Sequence, residues 1–198
     1  LIAQNVIAII GPSTSGESLK LKSICEEAKT ILISCAAAEG IVKPVAKYVF
    51  KTPQNDADAV IRILELLKKM NIKKIGVMSS NTGFGEGGKN LLHTLAPKNG
   101  IEIAASETYD KSATDLTAHL KAIQAAGAQA VVNWSIEPAQ GLVAKNMKQL
   151  NYDVLLFQSH GFGNIKYVKM SGPASEGIIF PSGRLLIADK LPDTNRQK

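Results

Sequence analysis

Length, composition and charge describe a globular chain and exclude several classes of function. The 198 residues are 45% hydrophobic, enough for one large domain or two small ones, and no apolar run is long enough to cross a membrane. The net charge is +6, but the lysines form scattered pairs such as Lys68-Lys69 and Lys73-Lys74, which argues against nucleic-acid binding. Cys25 and Cys35 lack the spacing of a metal site, so we expect two buried thiols, with a disulfide or a reactive thiol as the alternative.

The first part of the chain predicts a strand, a turn and a helix. Residues 1–5 have the pattern of the last turn of a helix, and Val6 to Ile10 form an apolar run typical of a strand buried on both faces of a parallel sheet. Residues 1–10 lack the charged start of a signal peptide. A turn follows at Gly11, and a helix is predicted from about Glu17 to Lys29.

The loop between this strand and this helix is a candidate anion site. In parallel sheets, ligands bind beyond the carboxyl ends of the strands, where the next helix directs its free N–H groups. Thr14 and Glu17 have the spacing of a capping box, which leaves the hydroxyls of Ser13 and Ser15 free to face an anionic group. An ordinary capped turn is the competing interpretation.

The rest of the chain alternates strands and helices. A strand at Ile31 to Ser34 completes a first βαβ unit, and the small residues of the loop 35–40 let a ligand approach the backbone closely. The segment 48–53 is predicted to be extended and hinge-like. Beyond it, we predict helix 56–70, strand 74–79, a helix through Leu91 to Leu95, strand 101–109, helix 114–126, strand 128–134, helix 138–150, strand 154–158, a short helix near 165–170 and strand 177–180.

This alternation predicts an α/β fold with two doubly wound parallel-sheet lobes, the first of them incomplete. We expect residues 1–50 to form a partial first lobe, residues 51–181 a complete five-stranded second lobe, and residues 182–198 a connection back toward the first lobe. The smaller part cannot bury both faces and both edges of its strands alone. We therefore expect it to pair with further sequence or with another chain.

Several motifs, in their order and spacing, resemble one known family. They are Val6 to Gly11, Ile33 to Ala37, Tyr48 to Thr52, Phe84 to Gly87 and Ala174 to Gly177. Together they resemble the type I periplasmic solute-binding proteins, specifically the leucine/isoleucine/valine-binding branch, over nearly the whole chain. Members of that family are longer, so the resemblance implies an internal fragment.

The resemblance implies a binding protein, not an enzyme, whose lobes close on a small solute and deliver it to an ABC permease without a cofactor or a metal. It implies a periplasmic or lipid-anchored extracellular location, with the signal segment outside this fragment. The competing classes are an enzyme on a doubly wound sheet and the sensing domain of a receptor. The serines lack a G-x-S-x-G elbow, and Gly83 to Gly88 match a dinucleotide fingerprint poorly, which argues against an enzyme.

The resemblance also implies which residues face the ligand. Ser15 takes the place of a serine that offers its hydroxyl to the ligand carboxylate, and Ala38 replaces a threonine of the second loop. Phe84 stands where a stacking tyrosine is common, and His160 takes the place of an acidic residue that binds the α-ammonium group. The full set of predicted ligand-binding residues is Ser13, Thr14, Ser15, Ala36, Ala37, Ala38, Phe84, Trp134, His160 and Gly161.

The histidine at position 160 changes the expected ligand. A cationic amino group needs a counter-charge inside a closed, poorly hydrated cleft, and histidine supplies none. His160 can instead donate a hydrogen bond to a carboxylate, while Trp134 adds a flat apolar wall opposite Phe84. We therefore expect a small carboxylic acid without an amino group, with an aromatic acid fitting this wall. Glu137 could restore the negative charge, so a branched-chain or other amino acid is the alternative.

Structural roles compete with these assignments. Phe84 and Trp134 are also typical of core residues, and His160 of a loop histidine bonded to a backbone carbonyl. His93 and His119 lie on predicted helices and are interpreted as surface or half-buried residues, and Asp56 and Asp58 as helix caps rather than paired catalytic carboxylates.

Overall fold

The computed structural model describes residues 1–194, which form two separate parallel sheets. The first sheet has the strand order β1-β2-β3, and the second has the order β5-β4-β6-β7. Their strands are Ala8–Ile10 (β1), Ile31–Ser34 (β2), Val49–Lys51 (β3), Lys74–Ser80 (β4), Glu102–Tyr109 (β5), Ala130–Trp134 (β6) and Leu155–Gln158 (β7). Neighbouring strands pair in parallel throughout, so the predicted α/β class with two parallel sheets is confirmed.

The helices lie within three residues of their predicted bounds where both bounds were predicted. They are Ser15–Glu27 (α1), Asp56–Lys69 (α2), Gly83–Leu95 (α3), Thr117–Ala125 (α4), Gln140–Gln149 (α5) and Ile165–Ser171 (α6). Periodicity explains this agreement: Val60, Ile63, Leu64 and Leu67 recur every three or four residues, and all four are buried under α2. Among helices of the described part, none combines the length and apolar content needed to cross a bilayer.

The second sheet is covered on both faces. Successive residues of a strand point to opposite faces, so Val77 and Val132 pack with α2 and α3, whereas Met78 and Val131 pack with α4 and α5. All four of these side chains are buried. This arrangement is the doubly wound sheet that the alternation of strands and helices predicts.

Three predictions about strands need correction. The segment 48–53 is not only a hinge, because Val49–Lys51 pairs with β2 as the third strand of the first sheet. The predicted strand 177–180 is reduced to a single bridge between Ile179 and Phe157. The first strand spans only Ala8–Ile10, and it is not buried on both faces, since Ile7 is 88% and Ile10 78% exposed. It lies at the edge of its sheet, where within residues 1–194 it pairs with β2 alone.

The first sheet has a small core, and of its two cysteines one lies inside this core and the other outside it. Cys25, Leu32, Ile41 and Val49 are buried together, and burial raises the pKa of the Cys25 thiol. Cys35 is exposed, contrary to prediction, because it follows the last residue of β2, where the chain leaves the core. Both thiols are free.

The last part of the chain has little regular structure. A 3-10 helix spans Arg184–Lys190, and the predicted connection 182–198 is described as far as Thr194. Residues 195–198 lie outside the described part. The division of the chain at residue 51, which falls at the end of β3, stays a prediction.

Candidate functional site

The two sheets approach each other at the N-termini of two helices. We call the part that carries β1 to β3 the first lobe and the part that carries β4 to β7 the second lobe. Helix α1 begins at Ser15 beyond β1, and α3 begins at Gly83 beyond β4. A methyl group placed on Gly83 would lie 2.8 Å from the Cα atom of Gly16, so the lobes contact each other through backbone. The free N–H groups of both helices are thus brought to one region between the lobes.

The loop that starts α1 differs from its prediction in its hydrogen bonds. Thr14 is the N-cap, but its hydroxyl donates to the Glu17 carboxylate at 2.7 Å and does not accept from the backbone, so the capping box is formed only in part. The hydroxyl of Ser15 is buried and accepts a hydrogen bond from the Ala38 N–H at 3.3 Å. Only Ser13 of the two predicted free serines is exposed.

The second predicted loop, Ala36 to Ala38, is buried between the lobes and is fixed by a lysine. The ammonium of Lys51 donates to the Ala37 carbonyl at 2.9 Å and also to the carbonyls of Pro53 and Gln54, each at 3.1 Å. Burial lowers the pKa of this lysine. Lys51 therefore ties the last strand of the first lobe to the segment that leads into α2.

Three predicted ligand residues form one aromatic cluster in the second lobe. The ring centroids of Phe84 and Trp134 lie 5.9 Å apart, and that of His160 lies 5.4 Å from Phe84 and 5.7 Å from Trp134. Phe84 and Trp134 were expected to be opposite walls of a cleft. Their rings contact each other instead, and the Trp134 ring packs on Gly88, where a Cβ would lie 2.2 Å from it. Of the three, His160 lines one of the two cavities described below.

An aspartate that sequence reasoning interpreted as a helix cap completes the site. The N-cap of α2 is Asn55, whereas Asp56 is fully buried with its Oδ1 atom 3.5 Å from Nε2 of His160. Among the described residues, neither carboxylate oxygen has a hydrogen-bond partner. An aspartate at a helix start is normally a cap, and no residue pattern separates a capping aspartate from a buried one.

Burial shifts the protonation of this pair in opposite senses. It raises the pKa of Asp56 to about 7, against the influence of the Lys51 charge, because a low-dielectric environment disfavours a carboxylate. It lowers the pKa of His160 to about 4, because the same environment disfavours an imidazolium, and Lys51 adds to this effect. Near neutral pH the histidine is neutral and the aspartate is partly protonated.

Two cavities border the pair. One of about 370 Å³ lies between the lobes and is lined by Ala38, Asp56 and Gly83 among others. The other, of about 280 Å³, is lined by His160 together with residues of the α2 N-terminus and of the segment 181–186. Because Asp56 lines the first cavity and His160 the second, their contact lies where the two cavities approach each other.

Two further predicted residues lie away from both cavities. A Cβ on Gly161 would lie 2.3 Å from the Ile136 side chain, so Gly161 packs against the loop after β6, behind His160. Glu137 is half-buried in that loop and, within the described part, lines neither cavity. The interpretation of His93 and His119 as surface or half-buried helix residues is confirmed, since His93 is exposed and His119 half-buried, and their rings contact Ser106 and Glu107 of β5.

Two parallel α/β lobes, with helix N-termini and a buried polar pair at their junction, define a two-lobed binding protein. The chain belongs to the periplasmic binding protein family, whose model matches residues 1–196. This family consists of extracytoplasmic solute-binding proteins, which are not enzymes. The resemblance read from the sequence motifs is thereby confirmed.

Relatives and solved structures agree with this membership. The chain is 24% identical over 181 residues to the leucine-, isoleucine-, valine-, threonine-, and alanine-binding protein of Pseudomonas aeruginosa. The aligned residues cover 90% of this chain and 48% of that protein. The chain is also 19% identical over 186 residues to a Leu/Ile/Val-binding protein homolog of Brucella melitensis, and the aligned residues cover 93% of this chain and 50% of that protein. The chain thus spans about half the length of the curated relatives it matches.

Solved structures share the fold. An extracellular ligand-binding receptor from Rhodopseudomonas palustris HaA2 superposes with a TM-score of 0.92 at 30% identity, covering 98% of this chain and 54% of the other. A branched-chain amino acid ABC transporter protein from Thermus thermophilus, solved with bound valine, gives a TM-score of 0.80 at 20% identity, covering 88% and 46%.

Proposed function

We propose that the protein is the solute-binding component of an ABC importer, located in the periplasm or anchored by lipid outside the cell. Its ligand is a small carboxylic acid without an amino group, bound between the two lobes, and an ABC permease receives it. Family membership and relatives named for binding branched-chain amino acids support the transport role. Where the first lobe is incomplete, further sequence or another chain completes it.

The observation that carries the choice of ligand is the contact between His160 and Asp56. The 3.5 Å approach of Asp56 to Nε2 of His160 directs its carboxyl group at the imidazole rather than leaving it for a ligand amine. The imidazole keeps its other nitrogen, Nδ1, which is buried and has no partner among residues 1–194, for a ligand, and the N-termini of α1 and α3 favour an anionic group between the lobes. Phe84 and Trp134 make the adjoining surface aromatic and apolar.

An amino acid is the second candidate, and a specific observation favours it. Asp56 is one of the residues that line the cavity between the lobes, and both of its carboxylate oxygens are buried and have no partner among residues 1–194. A ligand ammonium would satisfy these oxygens and would remove the cost of a buried unpaired charge. In this arrangement Asp56 takes the role that an acidic residue at position 160 has in the resembled family.

Calorimetry on the full-length protein tests the proposal. We expect benzoate and related aromatic acids to bind with micromolar or tighter affinity and leucine and valine to give no heat. Trp134, the one tryptophan in the sequence, lies in the aromatic cluster, so its fluorescence supplies a second readout of binding. Tight leucine binding together with no response to the acids would establish the amino acid candidate instead.

The same samples test binding against catalysis. Solute released from the purified protein by denaturation is identified by mass spectrometry and then incubated with fresh protein. We expect to recover it unaltered after incubation. Conversion of the solute into a product would contradict the proposed transport role.

A further inference from the structure

Asp56 and His160 form a contact that the proposed role in ligand binding does not by itself require. We propose that Asp56 is a positioning residue for His160, and that the two side chains share one proton which turns the imidazole into a hydrogen-bond donor for the ligand carboxylate. Binding of the solute then depends on the protonation of this pair. The inference rests on the proposed function, because it assumes that the ligand carries a carboxylate.

Geometry fixes which nitrogen faces which partner. Asp56 approaches Nε2 of His160, so Nδ1 is left for another group, and within residues 1–194 this buried atom has no partner. The imidazole is held edge-on by Phe84 at 83° and by Trp134 at 76°, and these contacts restrict its rotation. The 3.5 Å contact is longer than a hydrogen bond, and such bonds commonly tighten when a ligand binds.

The proton decides whether Nδ1 donates or accepts. When Asp56 is ionised, Nε2 carries the hydrogen and donates to Asp56, so Nδ1 presents a lone pair that repels a carboxylate. When Asp56 holds the proton, it donates to Nε2, the hydrogen of the neutral ring lies on Nδ1, and Nδ1 donates to the ligand. Transfer of that proton to Nε2 leaves an imidazolium between two carboxylates, with the total number of protons unchanged.

Charged groups around the pair come from four elements or loops. Lys51 of β3 is the cation that acts on both residues, and its ammonium is fixed by three backbone carbonyls. The acids that line the inter-lobe cavity with Asp56 are ion-paired: Glu39 with Lys43, and Glu86 with Lys89. On the side of His160, the cavity is lined by Asp58 and by Arg62, which pairs with Glu65.

This arrangement sets the number of protons taken up on binding. Because the pKa of Asp56 is about 7, the free pair already holds its proton below that pH and lacks it above. When the carboxylate binds at a pH well above 7, the protein therefore takes up close to one proton from solvent. At a pH well below 7 it takes up close to none. The dissociation constant rises about tenfold per pH unit above about pH 7 and is flat below it.

Calorimetry of benzoate binding, in buffers that differ in ionisation enthalpy, measures this proton uptake at about pH 6 and about pH 8.5. In the wild type we expect near-zero uptake at the lower pH and near one proton at the higher. In His160→Gln, the amide donates without titrating, so binding loses its pH dependence and its proton uptake. Lys69→Gln, an exposed change at the far end of the same helix, leaves both unchanged.

Changes at Asp56 separate positioning from a merely structural role. Asp56→Asn keeps an N–H donor for Nε2 but does not titrate, so we expect benzoate binding to lose its pH dependence while the affinity at about pH 6 changes little. Asp56→Glu keeps the carboxyl group, and we expect it to restore the pH dependence even where the affinity stays below that of the wild type. A structural role alone predicts that both variants lose affinity equally at every pH.

A ligand-free measurement completes the test. Nitrogen NMR of the three histidines, with the His160→Gln variant used for assignment, reports which ring nitrogen carries hydrogen. We expect the hydrogen of His160 to move from Nδ1 to Nε2 as pH rises through about 7, and Asp56→Asn to abolish this change. A ring that keeps one tautomer overturns the inference. Benzoate binding without proton uptake overturns it while the proposed function stands, and failure of every acid to bind overturns both.

Discussion

The two lobes use the same βα unit, yet their strands are buried to different degrees. In the second lobe, β4 has two neighbouring strands and helices on both faces, so Ile75 is fully buried. In the first lobe, β1 has a strand neighbour on one side only within residues 1–194, and its Ile10 is 78% exposed. An apolar β-branched run thus indicates a strand, but its burial depends on which elements lie beside it.

The comparison also separates what each lobe contributes to the site. The first lobe supplies backbone and small residues, namely the α1 N-terminus and the loop Ala36 to Ala38. The second lobe supplies the aromatic cluster, and Asp56 at the start of α2 brings a carboxyl group to it. The lobe with the larger core therefore carries the side chains that need to be held rigidly.

The largest expected effect compares isoleucines of the two sheets. Ile75→Ala removes a fully buried side chain from β4, and we expect the free energy of unfolding to fall by about 3 kcal/mol. Ile10→Ala in β1 is the matched control and should change it by about 0.5 kcal/mol or less. Urea denaturation measures both. Equal losses would mean that β1 is covered in solution by a further element, which would remove the contrast between the lobes.

A smaller effect is expected where the lobes contact each other. A methyl group at Gly83 collides with the backbone of Gly16, so we expect Gly83→Ala to destabilise the protein by about 2 kcal/mol and to widen the gap between the lobes. Gly87→Ala, one turn along the same helix, has open space within the described part and should stabilise α3 by about 0.5 kcal/mol.

Thermal denaturation and small-angle X-ray scattering distinguish the two glycine variants. We expect a lower Tm and a larger radius of gyration for Gly83→Ala, and a slightly higher Tm with an unchanged radius for Gly87→Ala. If both variants behaved alike, the backbone contact between the lobes would not exist in solution.

The smallest expected effect is the change in the free energy of unfolding per pH unit. The pKa of Asp56 is raised from 3.8 to about 7, so the folded state binds more protons than the unfolded state, and this group's contribution to stability falls as pH rises from about 4 to 7. The pKa of His160 is lowered from 6.5 to about 4, so its contribution rises with pH over about 4 to 6.5. The two contributions oppose each other in the wild type.

Single variants expose each contribution. We expect the unfolding free energy of His160→Gln to fall with rising pH between about 4.5 and 6.5, and that of Asp56→Asn to rise, each by about 1 kcal/mol per pH unit. Urea denaturation at several pH values measures both slopes. Slopes of the same sign in the two variants would refute the opposed shifts.

Much of the fold was predictable because it follows from periodicity. The apolar positions of α2 identify its buried face, and the alternation of strands and helices gives the parallel sheets. The short strand Val49–Lys51 was interpreted as a hinge, because three residues carry too little pattern to show pairing. The exposure of Ile10 was missed for another reason: edge and central strands have the same composition when their neighbours are unknown.

The candidate site was predictable in part. Loops after parallel strands converge at one end of a sheet, so Phe84, Trp134 and His160, which follow or end different strands, come together as expected. That Phe84 and Trp134 contact each other depends on the absence of a side chain at Gly88, which spacing alone does not reveal. The role of Asp56 depends on its burial, a property of the assembled fold.

The glycine pair at the junction has a mechanical consequence. Gly16 and Gly83 meet through bare backbone, so neither residue contributes a side chain that would have to repack at this contact. Separating the lobes at this contact parts two backbone surfaces. No side chain of the two glycines has to repack, and little dispersion energy is lost. In the solute-binding role proposed above, a contact of this kind lets the lobes separate at little energetic cost when the ligand is released.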